Sequence, residues 1–363
     1  MNIGELLLQA VERGASDLHV TVGVPPTVRL DGLLVRLSET PLKPEDTRNL
    51  VEQVIDEKNL SLLQDKGEID FSYSSPGLGR FRINAFYQRG TLGMAVRIIN
   101  TKAPKLNTLG LPDIVAKMAR RPKGLVLVTG PSGSGKTTTL AAMIDLLNEE
   151  RSCHIITLED PIEYLHSHKK SIINQREIGT DSESFPTALR AALHQDPDVI
   201  MLGEMNDLET ISMALTAAET GNLLLASMHT LTAPQTIQRI IEIFPPNRQE
   251  QIRVQLANTL IGIISQRLLP RRDGKGRVAA VEFLAVTPVI RNLLREGRLQ
   301  QIYTSMQTGV RSGMRTMDSH LQQLIEKGLI RPEDALENAT DRATMSRFLN
   351  QGFPGNRGEE LFT

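Results

Sequence analysis

Tryptophan is absent from this chain of 363 residues, cysteine occurs once, and aromatic side chains fill only 4% of positions. The lone Cys153 excludes a disulfide framework and any cysteine-based zinc site, and it fits a reducing compartment such as the cytosol. So few aromatics leave little on which nucleic-acid bases could stack. A dominant charge is missing too: 41 basic residues face 42 acidic ones, so no overall field draws the chain to polynucleotides or anionic lipid. No apolar run approaches the roughly 18 residues of a membrane-spanning helix, and any membrane association is expected to be peripheral. The opening MNIGELLLQAVERGASD places Glu5 ahead of a short apolar run with no basic lead; an amphipathic helix is expected there rather than a signal peptide.

What is present falls into distinct textures. Residues 1–100 alternate strand-like runs (Leu18 to Val22, Thr27 to Leu30, Phe81 to Phe86, Met94 to Ile99) with turn signals and one helical stretch near Pro44 to Leu63, which predicts a small α+β domain. Residues 101–121, punctuated by Pro104 and Pro112, read as a linker. Residues 122–276 alternate apolar runs with helical segments. LVLVTG, HIITLED, DVIMLGE and NLLLASMHT each have the character of a strand covered on both faces, as a parallel sheet requires. Residues 277–345 add one strand, VAAVEFLAV, and then helices, while residues 346–363 read as a flexible tail. The fold class expected is α/β.

One loop carries the most specific signal. Gly130, Pro131, Ser132, Gly133, Ser134, Gly135, Lys136 and Thr137 match G-x-x-x-x-G-K-[ST] after a strand and before the helical TTLAAMIDLL, the context that a phosphate-binding loop demands. Its glycines let backbone N–H groups cradle phosphate oxygens, aided by the positive end of the following helix. Lys136 would reach the β and γ phosphates, and the Thr137 hydroxyl, followed by Thr138, would meet Mg²⁺.

Three other strands end in polar residues where a parallel sheet opens its ligand crevice. Glu204 follows VIMLG, where a carboxylate beside a nucleotide could orient or deprotonate water. HIITLEDPIEY supplies Glu159, Asp160 and Glu163, and NLLLASMHT supplies His229 and Thr230. Singly, such acids are often helix caps and a lone histidine is often structural. Four strands ending on one edge favour the functional reading. Farther on, Thr287 as N-cap, Pro288 at the first position and Gly297 as stop specify a short helix. Val289, Ile290, Leu293 and Leu294 are expected on one face of it, with Arg291 and Arg295 on another.

These residues also carry a resemblance. The loop at 130–137, TLEDPIEY at 157–164, VIMLGEMNDLET at 199–210 and TAAETGNLLLASMHT at 216–230 resemble the four signatures of the secretion ATPase superfamily, the hexameric motors of type II secretion and type IV pili, and ASDLHV at 15–20 is similar to its N-terminal signature. TPVIRNLLREGRLQQIYTSMQTG at 287–309 is similar to the C-terminal motif of its retraction (twitching motility) branch, here Val289, Ile290, Arg291, Asn292, Leu293, Leu294, Arg295 and Glu296.

The resemblance implies a RecA-like core, a PAS-like N-terminal domain and a helical C-terminal region. It implies ATP and Mg²⁺ at Lys136 and Thr137, Glu204 as the catalytic glutamate, Glu159 and Glu163 near the metal and water, and His229 in the histidine box. Arg82 and Arg97 fall where the family's N-terminal domain presents arginines to the phosphates. The expected setting is a cytoplasmic homo-hexamer, peripheral at the inner membrane at the pilus base, working with a platform protein and other pilus motor ATPases and without nucleic acid. Two positions depart: Asn206 stands where arginine is usual, and Asn222 where histidine is usual after Gly221. The nearest rival is an accessory retraction ATPase. A pilus assembly or type II secretion ATPase commonly carries a four-cysteine motif, which this chain lacks; a RecA-like nucleic-acid translocase and a GTPase are more distant, the latter because no N-K-x-D stretch occurs.

Overall fold

Alternation does what the sequence pattern asks of it: in the strand Gly79–Gln88, Phe81, Ile83 and Ala85 are buried and the residues between them are not. The computed structural model describes residues 1–30, 32–99 and 102–350, which divide into two units. One unit comprises Met1–Lys102 together with Ile162–His166, the other Ala103–Pro161 and Ser167–Thr363.

The first unit is an antiparallel sheet. Its strands are β1 (Asp17–Val20), β2 (Thr27–Leu30), β3 (Leu33–Arg36), β4 (Glu68–Ser75), β5 (Gly79–Gln88) and β6 (Thr91–Ile98), in the order β3-β2-β1-β6-β5-β4. Helices Ile3–Glu12, Pro44–Glu52 and Glu57–Lys66 bury Leu7, Leu50 and Leu63 against Leu18, Phe81 and Val96. The stretch expected as one helix from Pro44 to Leu63 is two, because Asp56 caps the second: its carboxylate accepts from the Asn59 N–H at 2.7 Å. Strand β3 is exposed along its whole length, so it has no alternation to betray it in the sequence.

The second unit is built on a seven-stranded sheet of β7 (Gly124–Thr129), β8 (His154–Glu159), β9 (Ile172–Glu177), β10 (Val199–Leu202), β11 (Leu223–Met228), β12 (Leu260–Pro270) and β13 (Arg277–Ala285). The order is β13-β12-β7-β11-β10-β8-β9, parallel except for β13, which runs antiparallel to β12. Both faces are covered. Leu125 and Leu127 of β7 join one apolar core with helices Phe185–Ala192, Leu208–Thr220, Ala233–Glu242, Pro246–Thr259 and Pro288–Arg295, while Val126 and Val128 join another with helix Lys136–Glu150. This is the α/β, RecA-like arrangement, and it explains why the strands read as unbroken apolar runs.

Residues 103–121 differ from the expected linker. They carry a helix, Ile114–Ala119, whose Val115, Met118 and Ala119 are buried in the second unit's core. Gly110, with φ +68°, makes a turn between buried Leu106 and Val115, so these residues are not a free connection. Residues 346–350, assigned to the tail, complete the helix Arg342–Asn350, with Met345 buried; residues 351–363 lie outside the described residues, as do residues 100 and 101 at the expected domain boundary. Among the described residues no helix is long and apolar enough to cross a membrane.

The edge strand β13 holds a buried carboxyl. Glu282 is 0% exposed; its Oε1 accepts from the N–H of Ala233, the first residue of helix Ala233–Glu242, at 2.7 Å. Burial pushes its pKa up from 4.5 to about 7, Asp318 adding to the rise and the Ala233 and Met317 backbone bonds and Arg267 opposing it. Between those two values the folded chain keeps a proton that the unfolded chain has released. Stability from this group therefore falls as pH rises through the window and is fully present below it. Thermal melts of wild type and Glu282→Gln at pH 5 and pH 7.5 check this: wild type is expected to lose stability relative to the variant at the higher pH. A difference independent of pH would show Glu282 ionised throughout.

Candidate functional site

Strands β7, β11, β10 and β8 are consecutive neighbours, and their register pairs Thr129 with Met228, Ala226 with Leu202, and Leu202 with Leu158. Leaving these strands, the chain places the 130–137 loop, His229, Glu204 and Glu159 along one rim, on strands about 4.8 Å apart. Backbone bonds continue past the strand ends. The Gly130 N–H donates to the Met228 carbonyl (3.3 Å), Met205 to Ser227 (3.0 Å) and Gly203 to Leu158 (2.7 Å).

The loop needs its glycines for two reasons. Gly130, Gly133 and Gly135 all have positive φ, and a Cβ on Gly130 would sit 2.2 Å from the Gln266 carbonyl oxygen. Gln266, buried on β12, holds this loop from beneath: its Nε2 donates to the Ser134 carbonyl (2.7 Å) and its Oε1 accepts from Thr139 Oγ1 (2.9 Å). Next to it, Thr129 Oγ1 donates to Ser265 Oγ at 2.9 Å. Lys136 is buried, its ammonium donating to the loop's own carbonyls of Gly130 (2.9 Å) and Pro131 (3.1 Å). Pro131, Ser132 and Gly133 are exposed, and Thr137 and Thr138 lie half-buried in the first turn of helix Lys136–Glu150. A glycine-rich loop at a helix start beside a buried ammonium has the chemistry to receive a polyphosphate.

On the carboxylate side, Glu159 is 3% exposed, and its Oε1 accepts from Thr157 Oγ1 (2.6 Å) on its own strand and from Gln175 Nε2 (3.1 Å) on β9. Glu204 is half-exposed. Its Oε1 lies 3.2 Å from His229 Nε2 and also accepts from the Asn206 side-chain amide, so two side chains orient it. Glu163 falls in residues 162–166, which group with the first unit; the sheet unit by itself presents Glu159 and not Glu163.

Arg82 and Arg97 also belong to the first unit. They are direct register partners on β5 and β6, in a row that continues through Asp17 on β1 to Arg29 on β2. Arg97 Nε pairs with Asp17 at 3.0 Å and Arg82 with Asp70 at 3.5 Å. Burial works to raise the Asp17 carboxyl, but the Ser16 hydroxyl and the Arg97 guanidinium outweigh it and hold it below its ordinary value. Three arginines on this row are met by two aspartates, Asp17 between Arg97 and Arg29 and Asp70 beside Arg82, which leaves a local excess of one positive charge.

Helix Pro288–Arg295 starts as expected, the Thr287 hydroxyl accepting from the Ile290 N–H at 3.4 Å. Ile290, Leu293 and Leu294 are buried, whereas Val289, expected beside them, is 60% exposed. It stands about 100° round the helix from Ile290, beyond the edge of the covered stripe. Arg291 is half-buried, Asn292, Arg295 and Glu296 are exposed, and Arg295 donates to Asn258 at 2.8 Å.

The profile of the type II/IV secretion system protein family matches residues 2–352. The chain belongs to that family. It is 46% identical over 339 residues to the type IV pilus retractation ATPase PilT of Pseudomonas aeruginosa, spanning 93% of this chain and 98% of that one. It is 44% identical over 339 residues to the type IV pilus ATPase PilU of the same organism, spanning 93% and 89%. Its coordinates resemble a crystal structure of the pilus retraction motor PilT with bound ADP, with a TM-score of 0.88, 52% identity, and coverage of 96% of this chain and 99% of that one.

Two residues that depart from the secretion ATPase pattern have structural accounts. Asn206 supplies Glu204 with a neutral donor in place of a cation. Asn222 sits at the opposite end of β11 from His229, where its amide donates to the Pro197 carbonyl and its own carbonyl accepts from the Gly124 N–H (3.0 Å). It thus ties strand starts together, away from the rim.

Gln266 and Glu282 were missed by sequence reasoning. Gln266 meets Ser134 across 132 residues and Glu282 meets Ala233 across 49, and no local pattern announces either contact. Gln266→Ala leaves the Ser134 carbonyl and Thr139 hydroxyl without their partner, at a cost of about 1–3 kcal/mol. A lower melting temperature and several-fold weaker binding of a fluorescent ATP analogue are expected; wild-type affinity would show that the loop holds its shape without this clamp.

Proposed function

We propose that this chain is a type IV pilus retraction motor: it hydrolyses ATP and uses the energy to drive pilin disassembly and twitching motility. One observation carries the reading, the orientation of Glu204 by His229 and Asn206 on the same rim as the Lys136 loop. Similarity to PilT over 98% of that relative's length supports it.

In this reading the amides of residues 130–137 receive the phosphates, and Lys136 exchanges the Gly130 and Pro131 carbonyls for the β and γ oxygens. Among the described residues no group of three or more His, Cys, Asp or Glu could hold a metal ion. Mg²⁺ would therefore be held as it commonly is, by few protein ligands with phosphate and water: Thr137 directly, and Glu159 and Glu204 through water. When bound it would neutralise charge on the phosphates. Glu204 orients a water toward the γ-phosphorus and takes its proton; the new P–O bond forms as the bond to the β-phosphate oxygen breaks, leaving ADP and phosphate. Glu163, Arg82 and Arg97 enter through the family resemblance: the two arginines would supply positive charge against the negative charge that develops on the phosphates, and Glu163 a further carboxylate for water or metal.

The working form is a homo-hexamer at the cytoplasmic face of the inner membrane, acting on the platform protein at the pilus base. A second reading, an accessory retraction ATPase, draws support from the comparable 44% identity to PilU. Glu204→Gln is expected to bind ATP with near wild-type affinity and to lose turnover by at least about a hundredfold; wild-type hydrolysis in that variant overturns the assignment. Deleting the gene separates the biological readings: hyperpiliated, non-twitching cells mean retraction, hyperpiliated cells that still twitch mean an accessory role, and bald cells mean assembly.

A further inference from the structure

At the end of the sheet opposite the phosphate loop lies a second polar pocket. It is lined at the start of β7 by Arg121 and Lys123, at the start of β12 by Ile261, by Val286 and Arg291 around the helix that carries the retraction motif, and by Glu219, and its volume is about 360 Å³. Gly124 and Thr129 bound β7, so pocket and rim stand roughly 17 Å apart along the strand. Gly124 keeps this wall narrow: a Cβ there would meet the Thr259 carbonyl at 2.7 Å and the Ile261 side chain at 2.9 Å.

Within this pocket the group that bears on a ligand is Arg291. Its Nε is buried and has no hydrogen-bond partner. A buried, unsatisfied guanidinium nitrogen is destabilising by itself and marks a place where an acceptor belongs. The three cations face one carboxylate, and Glu219 is already engaged, accepting from Gln255 Nε2 at 2.9 Å. A surplus of positive charge beside the aliphatic walls of Ile261 and Val286 therefore remains.

We propose that this pocket receives an acidic side chain, glutamate or aspartate flanked by aliphatic residues, from a segment of a partner protein, with the half-buried Arg291 as the anchor and Arg121 and Lys123 as the steering rim. Three cations beside Glu219 leave a surplus of two positive charges to hold an incoming carboxylate, and the aliphatic flank matches the walls. The partner's use of this contact to receive force rests on the motor reading; the pocket's preference for the carboxylate does not.

The test uses the full chain and a fluorescein-labelled twelve-residue peptide of alternating leucine and glutamate, with a glutamine-for-glutamate peptide as control. Saturable binding of the glutamate peptide is expected, weakening as salt rises, with negligible binding of the control. Arg291→Gln is expected to weaken it by about tenfold or more and Arg291→Lys by less, since the charge remains. Should Arg291→Gln fail to fold, Lys123→Gln on the exposed rim is expected to weaken binding about threefold. Equal binding of the two peptides, or equal affinity in wild type and the folded variants, overturns the proposal. So does displacement of the bound peptide by phosphatidylglycerol vesicles, or a fall in molar mass by light scattering in Arg291→Gln, which would make the occupant a second copy of the chain. ATP turnover by the same wild-type preparation is read separately. Peptide binding without turnover removes the motor and leaves the pocket, and turnover without peptide binding does the reverse.

Discussion

The interaction on which the site depends is the pair of hydrogen bonds made by one neutral amide, Gln266, to the Ser134 carbonyl and the Thr139 hydroxyl. A glycine-rich loop is conformationally loose, and its amides converge on phosphate only if something outside the loop fixes its path. Gln266 does so from β12, close enough that only glycine fits at position 130. In the register of β12 against β13, Gln266 opposes Val281 and Ser265 opposes Glu282. The two side chains are thus diagonal neighbours that reach opposite faces of the sheet. One steadies the phosphate loop, and the other steadies the start of the helix that follows His229. A single edge hairpin therefore braces both halves of the candidate site.

Electrostatics is divided in a similar way. Positive charge is concentrated at Lys136 and, in the first unit, along the row of Arg29, Arg97 and Arg82, where Asp17 and Asp70 offset part of it. Further positive charge, at Arg121, Lys123 and Arg291, sits at the other end of the strands. With an overall charge of only -1, the chain carries these as local features rather than as a global field. Asn206 shows the same economy: orienting Glu204 requires a donor, and an amide provides one without altering local charge.

Much of this was legible in the sequence because the signals are local. A continuous apolar run followed by a glycine-rich octet can be little other than a strand entering a phosphate loop, and the ends of three more runs placed Glu204, Glu159 and His229 on the same rim. What was not legible depends on distant partners. Glu163 is four residues from Glu159, yet its segment packs with the other unit. Val289 has the right residue type for a buried face but stands past its edge. The linker reading of residues 101–121 failed at Val115, Met118 and Ala119 because proline and glycine mark turns without saying whether the residues between them are buried.

In the motor reading the phosphate loop and Glu204 act on one nucleotide. A crystal structure with Mg²⁺ and a non-hydrolysable ATP analogue tests it most directly. The account predicts that Lys136 has left the carbonyls of Gly130 and Pro131 for the β and γ phosphates, with Glu204 one water from the γ-phosphorus. Phosphates bound elsewhere, or Glu204 turned beyond the reach of that water, would contradict it.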